Sequence, residues 1–192
     1  MSDLSVNKLI IITAPSGSGK SSIVAHLLKA IPTLKFSVSA CTRSPRPNEV
    51  DGVHYHFIKP GDFEAKIQRN EFAEYEMVYP GKYYGTLKSE LENAWANQHT
   101  PIVDIDVQGA LRLMNHYGSQ ALSIFISAPS IDELRKRLEK RGTETPASLE
   151  ERVQKANEEI QFANRFHVRI VNDELAKACE ETTQCILDFI AS

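Results

Sequence analysis

Residues 8–14, KLIIITA, form a short apolar run that is β-branched through its middle and stops at Pro15. A continuous apolar run of this length predicts a strand buried on both faces. Beyond a turn rich in Ser and Gly, Ile23, Val24, Leu27, Leu28 and Ile31 recur at helical spacing until Pro32. That pattern predicts an amphipathic helix stopped by the proline. Residues 101–107 (PIVDIDV), 123–128 (SIFISA) and 168–172 (VRIVN) predict further buried strands, and Leu175, Cys179, Thr182, Ile186 and Phe189 mark one face of a last helix. Strands separated by helices imply an α/β fold, a parallel sheet covered by helices on both faces.

Two stretches interrupt this rhythm. From residue 37 to about 88 the chain is rich in Tyr, Pro, Gly and charge, and VHYHF, FAEYEMV and KYYGT read as short, half-exposed strands joined by turns. From residue 130 to about 161 it is strongly charged and helical, with Ser130/Glu133 and Ser148/Glu151 each fitting a capping box. Both stretches are expected to be mobile insertions on a rigid core.

Composition narrows the function classes. The 192 residues suffice for one domain with a sizeable core, and 42% hydrophobic with 24% charged residues is the balance of an ordinary globular protein. A formal charge of −3 argues against broad nucleic-acid or membrane-surface binding, so any anion site must be a local cluster. The opening MSDLSVNK lacks a basic region followed by a long apolar one, which predicts a cytoplasmic location without a signal peptide. Cys41, Cys179 and Cys185 show no CxxC spacing and read as reduced thiols.

The turn after the first strand carries chemistry. Ala14, Pro15, Ser16, Gly17, Ser18, Gly19, Lys20, Ser21 and Ser22 nearly fit GxxxxGKS/T, with alanine in place of the first glycine. A phosphate loop needs backbone N–H groups aimed at the anion, a helix N-terminus behind them, a lysine for the β- and γ-phosphates and a hydroxyl for Mg²⁺. Gly17, Gly19, Lys20 and Ser21 supply these. Position 14 lies at the strand exit, where alanine is tolerated if its φ is negative. A second anion site is suggested by Arg43 and Arg46, three apart and stiffened by Pro45 and Pro47, together with the hydroxyls of Tyr55 and Tyr84. Paired guanidinium forks suit a phosphate monoester, and tyrosine hydroxyls donate without adding charge.

The set APSGSGKSS, SVSACTRSPRP, VHYHF, FAEYEMV, YYGT, VDIDVQG, LRKRLEKRGTET and IVND resembles a guanylate kinase of the nucleoside monophosphate kinase group, from about residue 8 to the C-terminus. The resemblance implies transfer of the ATP γ-phosphoryl group to GMP, with Mg²⁺ as the metal. It also implies a phosphate-loop core (1–37, 90–130 and 162–192), a small mixed-β GMP-binding insert (38–89) and a helical lid (131–161). Carried over by position, Ser39, Glu74, Thr86 and Asp106 surround guanine, and Arg43, Arg46, Tyr55 and Tyr84 hold the GMP phosphate. Arg137, Arg141 and Arg152 are the lid arginines and Asn172 lies near the ATP base. Ser21 ligates Mg²⁺ and Asp104 holds it through water, the division of labour between Asp104 and Asp106 being left open.

The chemistry is consistent with that inventory. A phosphate monoester with a second pKa near 6 is largely a dianion at pH 7, so the nucleophile needs no general base. His26, His54, His56, His99, His116 and His167 are scattered, as surface or packing residues would be. A carboxylate such as Glu74 has only acceptors and suits the two adjacent donors of guanine. The alternatives are a phosphopeptide-binding module on the same fold, a kinase of another small substrate and a phosphate-loop hydrolase. The intact loop with the lid arginines opposes the first, the guanine-pattern polar set the second, and the lack of a water-orienting glutamine the third. Oligomeric state is not legible.

Overall fold

The computed structural model describes residues 7–79, 81–142 and 145–192, with the side chains of Val78, Tyr79 and Arg141 outside that description. The elements follow in the order β1 (Leu9–Thr13), α1 (Lys20–Ala30), β2 (Leu34–Phe36), β3 (Ala40–Cys41), β4 (His56–Phe57), α2 (Pro60–Gln68), β5 (Phe72–Tyr79), β6 (Lys82–Leu87) and α3 (Lys88–Ala96). Then come β7 (Thr100–Asp104), α4 (Val107–Tyr117), β8 (Ala121–Ser127), α5 (Ile131–Arg141), α6 (Pro146–Ile160), β9 (Val168–Val171) and α7 (Leu175–Ala191).

The main sheet has the order β2-β7-β1-β8-β9 and its pairings are all parallel. Alternation along β1 divides its side chains between two cores. Ile10 and Ile12 pack with Ile23 and Leu27 of α1 and with Ala178, Cys179 and Ile186 of α7. Leu9 and Ile11 pack with Leu91 of α3, Ala110 and Leu113 of α4, and Phe166. Strand β1 lies between β7 and β8, so the chain leaves it toward both sides. Parallel sheets open a ligand crevice at the carboxyl ends of strands at such a switch point. The turns after β1 and β7 lie there.

The two interrupting stretches each carry a small core of their own. Strands β4-β3-β6-β5 form a second, mixed sheet. Phe63 of α2 packs against Ala40, Phe72 and Leu87 beneath it, with Phe72 and Tyr83 stacked on its ring. Helices α5 and α6 close on Leu134, Leu138, Val153 and Ala156.

Several expectations are corrected. Helix α2 has no apolar stripe long enough to be read from periodicity; Pro60 at its first turn and one fully buried side chain, Phe63, set it. Helix α6 begins before Ser148: Thr145 is its cap, Pro146 its first residue, and the capping box pairs Thr145 with Ser148. Ser130 does cap α5, but Glu133 turns its carboxylate to Arg137 four residues on. Leu175, at the start of α7, is 46% exposed; Ala178 takes the buried place expected of it.

Candidate active site

Ala14 lies outside the positive-φ residues, whereas Gly17 and Gly19 have φ of 89° and 88°. Alanine therefore meets no backbone strain, and the two later glycines carry the left-handed turns. Gly19 is also sterically compelled, because a Cβ there would lie 2.2 Å from Asn172 Nδ2. The Asn172 side-chain amide donates to the Ser18 carbonyl at 2.8 Å, and the Asn172 backbone carbonyl accepts from Arg137 at 2.8 Å. Asn172, expected near the ATP base, is 4% exposed and braces the loop from behind. Ser18 is likewise buried beneath the loop.

A cleft of about 780 Å³ runs from this loop to the second sheet. It is lined by Ala14, Pro15, Ser16, Gly17, Gly19, Lys20, Ser21 and Ser22 at one end, and by Ser39, Arg46, Tyr55, Glu74, Tyr84 and Asp106 at the other. Lys20 sits at the N-terminus of α1 with its ammonium on Asp104, at the end of β7. Asp106, two residues on, instead caps α4 by accepting from Gly109 N–H at 2.8 Å. The fork between these carboxylates follows from where the strand ends: Asp104 closes β7 and meets the loop lysine, whereas Asp106 lies beyond the strand as the cap of α4.

At the far end the side chains hold one another. Glu49 accepts from both terminal nitrogens of Arg43 at 2.5 and 2.6 Å and from the Arg46 N–H at 2.8 Å. Hydrogen bonds from Arg43, then from the Arg46 backbone, hold its carboxyl down at about 2. The Arg43 Nε donates to the Tyr84 hydroxyl at 3.1 Å and the guanidinium lies 5.0 Å above the Tyr55 ring. Arg43 is therefore engaged behind the tyrosines, and Arg46 is the guanidinium presented to the cleft. Burial, with Asp104 adding to it, pushes the Tyr55 hydroxyl up, so it stays a donor.

Glu74 is 7% exposed, and its Oε1 accepts from the Thr86 N–H at 3.1 Å and hydroxyl at 2.8 Å. Thr86 thus holds the carboxylate and does not itself line the cleft. Burial raises the Glu74 pKa to about 7, against the Thr86 hydroxyl bond that lowers it; the neighbouring Asp106 charge adds to the rise. From the lid, Arg137 and Arg152 reach the cleft, and Arg152 donates to the Ser16 hydroxyl at 2.8 Å. Arg141 ends α5, but its side chain lies outside the described residues. Lys155 and Glu159 also line the cleft and were missed. Their spacing from Arg152, one and two turns along the same helix face, was the available signal.

The sequence profile described as guanylate kinase matches residues 6–188. The chain belongs to the guanylate kinase family. It is 48% identical to a guanylate kinase of Porphyromonas gingivalis over 187 residues, 97% of this chain and 100% of that protein. It is 46% identical to one of Salinibacter ruber over 184 residues, 96% of this chain and 97% of that protein. The crystal structure of guanylate kinase from Anaplasma phagocytophilum superposes with a TM-score of 0.77 at 26% identity, covering 96% of this chain and 86% of that one. The core-plus-insert arrangement is thus that of the guanylate kinase fold. Among the described residues no helix is long and apolar enough to cross a membrane.

Proposed function

We propose that this chain transfers the γ-phosphoryl group of ATP to GMP, giving ADP and GDP. The observation that carries the reading is the single cleft that joins a phosphate loop to a buried carboxylate, Glu74, beside a phosphate-sized cluster of Arg46, Tyr55 and Tyr84. The loop N–H groups, the α1 N-terminus and Lys20 receive the ATP phosphates. Arg46 and the two hydroxyls take the GMP phosphate, while Arg43 adds its charge from behind them. Glu74 Oε2 and Asp106 accept from the guanine donors, and Ser39 stands at the rim of the same site. Arg137, Arg141 and Arg152 stabilise charge on the transferring group, so the chemistry is positioning and electrostatics. The three moving parts are the core, the insert 38–89 and the lid 131–161.

The donor set fits Mg²⁺. Ser21 and Asp104 supply hard oxygens on the two turns at the loop. That suits an ion held by one or two protein oxygens, with water and phosphate oxygens completing its shell. When bound it supplies charge neutralisation to the phosphates. The test is an ADP-release assay with ATP, Mg²⁺ and each nucleoside monophosphate in turn. GMP should be the preferred acceptor by at least about 100-fold over AMP, as expected where buried polar groups read a base. Equal rates with AMP, or ADP release without any acceptor, would overturn the reading.

A further inference from the structure

Glu90 lies in the first turn of α3, a helix anchored in the core by Leu91, which is fully buried with Leu9 and Ile11. Its carboxylate leaves the helix and spans the junction with the second sheet. One oxygen accepts from the Val38 N–H at 3.2 Å, and the other meets His56 Nε2 at 3.0 Å. Val38 is the first residue beyond the main sheet's reach: the preceding N–H, of Ser37, still donates to Ile102 of β7 at 3.0 Å. The His56 N–H donates to the Ser39 carbonyl at 2.9 Å, so the two points that Glu90 grips are themselves joined.

The two gripped residues are chain neighbours of two cleft residues. Val38 precedes Ser39 and His56 follows Tyr55, and both Ser39 and Tyr55 line the cleft. In extended chain successive side chains point to opposite faces, so a grip on one face fixes what the other face presents. Glu90 and His56 touch neither cleft nor loop. We propose that Glu90 and His56 form a strap across the core–insert junction that positions Ser39 and Tyr55 for the acceptor nucleotide. Both are positioning residues and act only on the acceptor side. The proposal rests on the reading that the cleft takes GMP.

A strap of this kind separates the two substrates kinetically. Glu90→Ala should raise KM for GMP about 10-fold, with kcat within about 3-fold and KM for ATP unchanged, because only acceptor binding loses its pre-set geometry. His56→Ala should raise KM for GMP about 3-fold or more, whereas His56→Gln, which keeps an N–H donor, should restore it to near wild type. The double variant Glu90→Ala/His56→Ala should be no worse than Glu90→Ala, since one interaction is lost twice. An unchanged KM for GMP in Glu90→Ala, a parallel rise for ATP, or His56→Gln as weak as His56→Ala would overturn the strap. If Glu90→Ala does not fold, the two His56 variants decide the matter alone. Wild-type protein in the same assay separates the two readings: no GMP turnover there rejects the function, whereas normal turnover without the KM split rejects only the strap.

Discussion

The loop end of the cleft, proposed for the phosphate donor, is built of backbone N–H groups, a helix N-terminus and Lys20, all contributed by residues 14–22. At the opposite end, Glu49 holds Arg43, Thr86 holds Glu74, and Asp106 arrives at the cap of α4, more than thirty residues beyond Glu74 in the chain. A backbone cradle carries no titratable charge, so only its lysine can be removed by side-chain chemistry. A site made of charged side chains has to be assembled, and its hydrogen bonds and burial alter the charges themselves. Glu49 and Glu74 show this: hydrogen bonds from Arg43 and the Arg46 backbone hold one at about 2, and burial lifts the other to about 7.

The largest test removes the loop's own charged side chain. Lys20→Ala should lower kcat by at least about 10³-fold, since charge on the transferring group loses a fixed cation. GMP binding, measured calorimetrically without ATP, should stay within about two-fold, because Lys20 lies at the other end of the cleft. A comparable loss of GMP affinity would show that the two ends are not independent.

Next in size is Glu74→Gln, which should lower kcat/KM for GMP by at least about 100-fold through a donor facing a donor. The same substitution has a signed effect on stability. The folded-state pKa of Glu74 is raised, from 4.5 to about 7, so its contribution is fully present below 4.5 and is lost as pH rises through 7. Above pH 7 the ionised, buried carboxylate costs on the order of 3 kcal/mol. Glu74→Gln should therefore melt several degrees higher than wild type at pH 8 and at nearly the same temperature at pH 4. In wild type, KM for GMP should rise as pH falls below about 7, as the acceptor oxygens protonate. Glu74→Gln should lack that step and keep only the one near pH 6 from the substrate phosphate. Melting curves and pH–rate profiles on the two proteins check both statements.

Arg152→Ala tests the piece that joins the ends, because its guanidinium reaches from α6 to the Ser16 hydroxyl of the loop. It should lower kcat on the order of 100-fold while GMP affinity without ATP changes little. The smallest effect belongs to Glu49→Gln. Loss of the bidentate grip should raise KM for GMP about 5-fold, with kcat nearly kept, as a pre-set site becomes a looser one. A fall in KM instead would mean that Glu49 competes with the phosphate for Arg43.

Legibility followed the same division. The loop could be read because each of its requirements is local: glycines for positive φ, lysine and serine at fixed offsets, an apolar run before and a helical stripe after. Buried strands were read from apolar runs, with ends off by up to three residues, as where β7 stops at Asp104, because the bounds depend on pairing partners. Helix α2 was not readable, since one buried phenylalanine under a sheet leaves no periodic signature. The bracing of the Ser18 carbonyl by the Asn172 amide was not legible, because the contact spans 154 residues in sequence.

By itself the sequence determined the parallel core, the phosphate-loop pattern with its tolerated Ala14, and many of the polar groups that surround the cleft, though not Lys155 or Glu159. These follow from steric and hydrogen-bonding requirements that act within a few residues. Only the tertiary structure decided which groups line the cleft and which hold their neighbours: Arg46 at the cleft and Arg43 behind, Glu74 at the cleft and Thr86 behind, Asp104 on the loop lysine and Asp106 on the cap of α4. The physical reason is that a charge is set by everything packed around it. Burial, a partner's hydrogen bonds and distant elements brought within a few ångströms fix both its direction and its protonation.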